Sequence, residues 1–481
     1  RGVSGLSVSD YKSHDGLGLA ALIRSKQVSS IAVFEAARAA IDADKPLLNA
    51  MCIDYEAQFA SPAASASEAA CFYGVPFLLK NQGAQAAGCL QTFGSRLYTD
   101  YRPDYDADIF TRFRAAGLLP LGRSNTPEMS LTPVTESDLY GRTVNPWHSD
   151  LITGGSSGGA AAAVAAGLTP LAHATDGGGS IRQPAACCGV FGLKPSRARS
   201  PFGPKLGEGW NGLSTQLVVS RTVRDTAAAL DAISAPSLGD PYAVPSPTQA
   251  YRALDKAHFK SLRILVSYDF GGEPTAPECR AAVADAAHLC ARLGYDVTER
   301  DYRLEFEPAR QIIQTIYGSH TAAGIAQRAA DLGRPIASEE LSAAARLLSH
   351  HGTTLSATDY VAAITAAHAL GRQHAQMLQG FDVWLTPTMT VLPPRHGVQL
   401  QNLRAVDDYT DMIFNMMPIT AFQNISGQPA MSMPLAWTET NIPIGCHFTA
   451  QFGREDILLQ LAFELEKHQP WIDRYKSIDG R

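Results

Sequence analysis

Residues 154–182 read GGSSGGAAAAVAAGLTPLAHATDGGGSIR, and no other stretch restricts the chain so strongly. Gly154, Gly155, Gly158 and Gly159 surround Ser156 and Ser157, while Gly177, Gly178 and Gly179 lead directly into Ser180. The alanine-rich run between them predicts a helix over 160–167, followed by a strand over 168–173. Glycine lets a backbone approach a ligand closely and adopt positive φ. Three glycines ahead of a serine can aim successive N–H groups at one point, which is what a developing oxyanion requires. Ser180 is therefore the candidate nucleophile.

Two rival readings compete for the same residues. GSSGG at 155–159 matches the G-x-S-x-G nucleophile elbow, with Ser157 as nucleophile. That reading needs a strand before the motif, a helix after it, and then Asp and His in that order. The helix follows, but NPWHSDLIT is a poor strand and no downstream histidine stands in a context that marks it. A phosphate loop fails because no Lys-Ser/Thr pair follows the glycines.

Around this segment the patterning alternates between strand and helix. Residues 1–15 read as a loose lead-in, and 16–44 as two helices joined near 28–30. GVPFLLK at 74–80 suits a buried strand ending in Lys80, a residue type almost never buried unless paired. A helix is expected over 107–117 and strands over 118–122, 190–194, 262–268, 295–299 and 381–387. Further strands are expected over 429–435 and 442–449, and helices over 222–233, 277–293 and 457–467, with 305–377 helical but broken near 333–335 and 352–354. The Gly-, Pro- and Arg-rich stretch 195–213 reads as a loop near the site. Alternation of this kind argues an α/β fold. The only linker-like stretch is 235–255.

Composition limits the partners. A charged fraction of 18% and an apolar fraction of 45%, with a net charge of −6 and no basic block, suit a globular protein with a large core. They anticipate neither nucleic acid nor an anionic membrane surface. The eight cysteines show no CxxC spacing and read as reduced, mostly buried residues. No apolar run is long enough to span a bilayer. The expected location is cytoplasmic, with a cleaved export signal left open because the sequence begins at Arg1.

The run GGSSGGAAAAVAAG…TDGGGSIRQPAACCGVFGLKPS resembles the central signature of the amidase signature family of serine hydrolases. GVPFLLK, SNTPE, GRTVNPW, FDVWLTPT and IPIGCHFTAQFGREDILLQLAFELE extend the likeness from about residue 16 to 471, most weakly over 235–380. The resemblance implies an α/β fold: one domain over 1–481, built on a single large twisted mixed sheet covered by helices. Within it, 16–70 would be N-terminal helices, 71–234 the catalytic core, 235–380 a variable helical substrate side, and 381–481 the closing strands and helix.

By position, the family's triad falls on Lys80, Ser156 and Ser180. Ser180 would take the acyl group. Ser156, which follows a cis peptide bond in that family, would relay the proton to a neutral Lys80. Burial without a carboxylate partner is the physical route to such a base. Gly177, Gly178, Gly179 and Ser180 would supply the oxyanion-hole amides, with Ser157, Asp176 and Arg182 in support. Two departures stand out. Asn81 occupies a place where many relatives carry an acid, which should favour the neutral amine, and Ala198 stands where relatives often have glycine.

Ser130, Arg199, Ile316, Tyr317 and Met416 are candidate substrate-binding residues. The implied activity is cleavage of linear or cyclic amides, aryl amides or carbamates without metal or organic cofactor, by a monomer or homodimer. The alternative implied by the family is an amidotransferase subunit that releases ammonia for a partner.

Overall fold

The structure is a computed structural model and describes residues 5–60, 66–256 and 261–478. Among the described residues thirteen strands occur in chain order: β1 (Met51–Ile53), β2 (Val75–Lys80), β3 (Leu118–Ser124), β4 (Glu136–Ser137), β5 (Gly141–Arg142), β6 (Leu171–Asp176) and β7 (Phe191–Lys194). They continue with β8 (Thr215–Ser220), β9 (Arg263–Val266), β10 (Asp296–Glu299), β11 (Val383–Pro387), β12 (Ala430–Trp437) and β13 (Pro443–Ala450). Eleven of them form one sheet in the order β1-β3-β2-β6-β8-β7-β12-β13-β11-β9-β10, and β4 and β5 make a separate hairpin. The sheet is mixed. β2 runs parallel to both β3 and β6, whereas β8 pairs antiparallel with β6 and β7.

Burial explains the sequence pattern. β2, β6 and β8 are buried at every position, so they read as continuous runs rather than alternating ones. The helix Gly158–Ala165 is buried all round, which is why it carries alanine and glycine on every face. A Cβ on Gly159 would sit 2.5 Å from the Asn125 carbonyl oxygen, so only glycine lets this helix start touch the neighbouring backbone.

Several sequence expectations shift. The strand expected over 168–173 lies at Leu171–Asp176, directly before the glycines. β1, β8 and the helices Arg182–Cys188, Val406–Phe414 and Thr420–Ser426 arise where the patterning predicted no separate element. The lead-in contains a helix, Val8–Lys12, anchored by the buried Tyr11, whose hydroxyl donates to the Leu168 carbonyl at 2.8 Å; residues 1–4 lie outside the described residues. The helical stretch after 305 does divide near the expected breaks, into Phe306–Leu332, Ala343–Thr354 and Ala357–Met377. All eight cysteines are free thiols and six are buried. Among the described residues no helix is long and apolar enough to cross a membrane.

Candidate active site

The site forms where the C-terminal ends of β2 and β6 meet the start of the helix Gly158–Ala165. The Gly155–Ser156 peptide is cis. A Cβ on Gly155 would lie 2.6 Å from the Val134 nitrogen, so the turn runs against backbone here too. The Gly155 N–H donates to Gln183 Oε1 at 2.8 Å, and Thr126 Oγ1 donates to the Ser156 carbonyl at 3.0 Å. The turn is thus tied on both sides of Ser156.

Lys80 ends β2 and is fully buried. Its Nζ donates to Ser156 Oγ at 2.7 Å and to Thr175 Oγ1 at 2.8 Å. Among the described residues no carboxylate pairs with it. Burial drives its pKa well below the ordinary lysine value, and the more distant Asp176 charge opposes this only in part. Arg123 Nη1 donates to the Lys80 carbonyl at 3.0 Å, and the Lys80 N–H donates to His173 Nδ1 at 3.2 Å. Burial pushes His173 down to about 3. The ring is therefore neutral, and with Nδ1 accepting, its Nε2–H donates to Gln216 Oε1 at 3.1 Å. The two-residue period of β6 puts His173 and Thr175 on one face, where both reach Lys80. That period is the signal that could have found them in the sequence.

The Asn81 side chain, which stands where a carboxylate would bear on Lys80, is turned to Thr92. Its Nδ2 donates to Thr92 Oγ1 at 2.8 Å, and its Oδ1 accepts from the Thr92 N–H at 3.0 Å. The side chain fastens the 92–93 turn, and the charge that Lys80 feels is that of Asp176.

The 176–182 segment is held by a buried carboxylate. Burial alone would raise the Asp176 pKa, but the adjoining Arg182 guanidinium outweighs it and holds the carboxyl far below its usual range. Asp176 accepts from Arg182 Nε at 3.0 Å and Nη2 at 2.9 Å, from Asn424 Nδ2 at 2.9 Å, and from the Gly179 and Ile181 N–H groups at 2.8 and 3.1 Å. Arg182 reaches on to Asn424 Oδ1 at 2.7 Å and Gln423 Oε1 at 3.2 Å. The Tyr317 hydroxyl donates to the Gly177 carbonyl at 2.5 Å, and Thr420 Oγ1 donates to the Gly178 carbonyl at 2.8 Å. With those carbonyls turned outward, the Gly177, Gly178 and Ser180 N–H groups donate to no protein acceptor among the described residues. Gly179 differs from the expected set, because its N–H is spent on Asp176.

Ser157 Oγ is fully buried, donating to the Thr175 carbonyl at 3.2 Å and accepting from the Thr175 N–H at 3.3 Å. It braces β6 against the helix start and does not line the cavity, which removes the nucleophile-elbow reading.

Ser156, Thr175, Gly177 and Ser180 open on one cavity of about 260 Å³. Its apolar walls are Met129, Phe202, Leu206 and Trp210, and its polar lining includes Gln82, Ser130, Glu208 and His320. Met129, Ser130 and Trp210 hold left-handed backbone conformations, with φ of 48°, 58° and 48°, an uncommon region for residues with side chains. Ser130 thus faces the cavity as expected. The other substrate-side candidates do not. Ile316 and Met416 are packed into the core, and Arg199 is buried against Glu455, with Nη2 to Oε2 at 3.1 Å. Tyr317 stands behind Gly177 with its ring 4.2 Å from that of Trp210. A buried arginine needs its carboxylate, and Glu455 lies too far along the chain for the pairing to show in the sequence.

Comparison with known proteins gives the family. Residues 32–459 match the Amidase family model. The chain is 34% identical over 482 residues to a 6-aminohexanoate-cyclic-dimer hydrolase of Pseudomonas sp. (strain NK87), covering 96% of each. It is also 34% identical to the putative amidase AmiC of Mycobacterium tuberculosis (strain ATCC 25618 / H37Rv), covering 95% of each. A solved 6-aminohexanoate cyclic dimer hydrolase superposes with a TM-score of 0.90 at 32% identity, over 96% of this chain and 98% of that one. A bacterial aryl acylamidase shares the fold, with a TM-score of 0.86 at 24% identity over 97% of this chain and 99% of that one. The chain belongs to the amidase family, as an amidase-signature hydrolase of carbon–nitrogen bonds.

Proposed function

We propose that the protein hydrolyses linear or cyclic amides, with aryl amides and carbamates as further candidates, through a Ser180–cis-Ser156–Lys80 relay and an acyl-enzyme. The observation that carries this reading is the 2.7 Å contact between Ser156 Oγ and the buried Nζ of Lys80, on the cavity that Ser180 also lines. The amine starts neutral. Ser180 Oγ attacks the carbonyl carbon while its proton passes to Ser156 Oγ and that of Ser156 passes to Lys80 Nζ. The oxyanion is met by the unengaged N–H groups of the 177–180 segment. As the C–N bond breaks, the relay returns the proton to the leaving nitrogen. Water then attacks the ester by the same path, and Ser180 recovers its proton.

The apolar walls favour substrates whose amide is flanked by alkyl or aryl groups over small polar amides. The relative acting on a 6-aminohexanoate cyclic dimer supports the cyclic amide as a substrate class for this chain. The likeness to the solved glutamyl-tRNA(Gln) amidotransferase chain of Thermotoga maritima, at 23% identity, speaks only for the fold.

The test is a panel of p-nitroanilides, esters, carbamates and cyclic amides of graded chain length, run on the purified protein beside Ser180→Ala. Turnover of alkyl or aryl amides without any partner protein is expected, with none in the variant. Amide turnover that persists in Ser180→Ala overturns the relay.

A further inference from the structure

The cavity holds one formal charge that the relay does not use. Its described lining contains neither lysine nor arginine, and its single carboxylate is Glu208. Of the other titratable lining groups, His320 is pushed down by burial and Tyr105 is pushed up to about 12, so both are neutral near pH 7. Glu208 is half-buried and has no hydrogen-bond or ion-pair partner among the described residues. One cation stands close by: Arg197 Nε and Glu208 Oε2 lie 2.8 and 3.0 Å from where a Cβ on Gly212 would stand, so the two charges act on each other although no hydrogen bond or ion pair joins them. Arg197, beyond Gly212, donates Nε to the Gly212 carbonyl at 2.8 Å and Nη2 to the Asn424 and Ile425 carbonyls at 3.0 and 2.7 Å. Lys205 pairs with Asp104 at 2.7 Å.

We infer that Glu208 forms an ammonium subsite: the cavity selects amides carrying a primary ammonium group one alkyl chain away from the scissile carbonyl, and rejects those carrying a carboxylate there. This rests on the amide-hydrolase reading above. Phe202, Leu206 and Trp210 supply the apolar sleeve for the alkyl chain, and Glu208 supplies the only charge on the described wall. A carboxylate that accepts no hydrogen bond among the described residues, in a site partly closed to water, attracts a cation and repels an anion more strongly than it would in bulk solvent, while the neighbouring Arg197 charge works against this. A neutral chain of the same length gains nothing from it. Charge selection is thus separable from the chemistry at Ser180.

Two measurements test the subsite. The first compares p-nitroanilides of one chain length ending in ammonium, methyl or carboxylate, in the wild type, Glu208→Gln and Glu208→Lys. The kcat/KM ratio of ammonium- to carboxylate-terminated substrate should be on the order of tenfold or more in the wild type, as for a partly screened ion pair. It should collapse in Glu208→Gln, invert in Glu208→Lys, and shrink as salt is raised. The second, independent of turnover, is calorimetric binding of hexylammonium and of hexanoate to the wild type and Glu208→Gln. Tighter binding of the cation that is lost in the variant supports the subsite. Equal binding of the two ions by the wild type, or a preference unchanged in Glu208→Gln, overturns it. Absence of turnover of all three anilides, or turnover surviving Ser180→Ala, would instead refute the parent reading, and the binding pair still decides the subsite.

Discussion

Replacing Tyr317 by Phe removes one atom from the wall behind the glycine run, and its effect can be worked from the geometry. The hydroxyl donates to the Gly177 carbonyl at 2.5 Å in a fully enclosed position. That carbonyl and the Gly178 N–H belong to one planar peptide and point in opposite directions. Releasing the carbonyl therefore frees the Gly178 N–H to swing away from the cavity. Loss of a whole oxyanion donor costs about 2.7–4 kcal/mol in the transition state. Partial misalignment should cost roughly half of that, a fall in kcat of about 10- to 30-fold. The orphaned carbonyl should lower stability by about 1–3 kcal/mol. The aromatic ring remains to support Trp210, so KM should change little.

Thr420→Val provides the internal comparison. It frees the Gly178 carbonyl, but the N–H of that same peptide, on Gly179, stays bound to Asp176 at 2.8 Å. Its kcat should fall several-fold less than that of Tyr317→Phe. Steady-state kinetics on a neutral alkanoyl anilide, with chemical denaturation of each variant, measures both effects. A rise in KM with unchanged kcat for Tyr317→Phe would refute the reasoning, as would a larger kcat loss for Thr420→Val.

Other consequences can be checked more briefly. Lys80→Ala should lose about 10²–10⁴ in kcat, and a loss under about threefold would remove lysine from the relay. Because the amine must be neutral to accept a proton, and burial depresses its pKa, kcat/KM for a neutral substrate should rise with pH along an acid limb well below the ordinary lysine value. A limb near pH ~10, where a solvent-exposed lysine titrates, would contradict this. Arg199→Ala strands the buried Glu455 and should destabilise by about 3–5 kcal/mol, while chain-length preference among anilides is retained. Altered preference at unchanged stability would return Arg199 to the cavity. Ala198 holds a left-handed φ of 66°, a conformation that costs a residue with a side chain about 1–2 kcal/mol. Ala198→Gly relieves that but adds freedom to the unfolded chain, so a net gain of about 0.5–1 kcal/mol is expected in denaturant titration, and destabilisation would show that the loop needs the methyl group.

What the sequence disclosed and what it hid follow from the range of the interactions. The turn–helix–strand–turn unit of 154–182 is local: its glycines are dictated by backbone packed within the same neighbourhood, so the candidate serines could be read directly. Lys80 stands out as a charge ending an apolar strand, but that alone fits a strand-end lysine reaching solvent, and its role in the site comes from the family resemblance. β8 was not legible, since a buried central strand shows no alternation and TQLVVS follows a glycine-rich loop without a break. The cavity walls were hidden for a different reason. Trp210 and Met129 face the site through left-handed backbones that no propensity announces, and Arg199 finds its partner only after the sheet has brought 455 back beside it. The apolar residues at 316 and 416 illustrate the converse, since composition cannot separate a cleft from a core.

Covalent capture tests the central claim most directly. Treated with a fluorophosphonate and examined by peptide mass spectrometry, the wild type should carry a single adduct on Ser180, and both Ser180→Ala and Lys80→Ala should stay essentially unlabelled. An adduct on Ser157, or full labelling of Ser180→Ala at any other serine, would contradict the account.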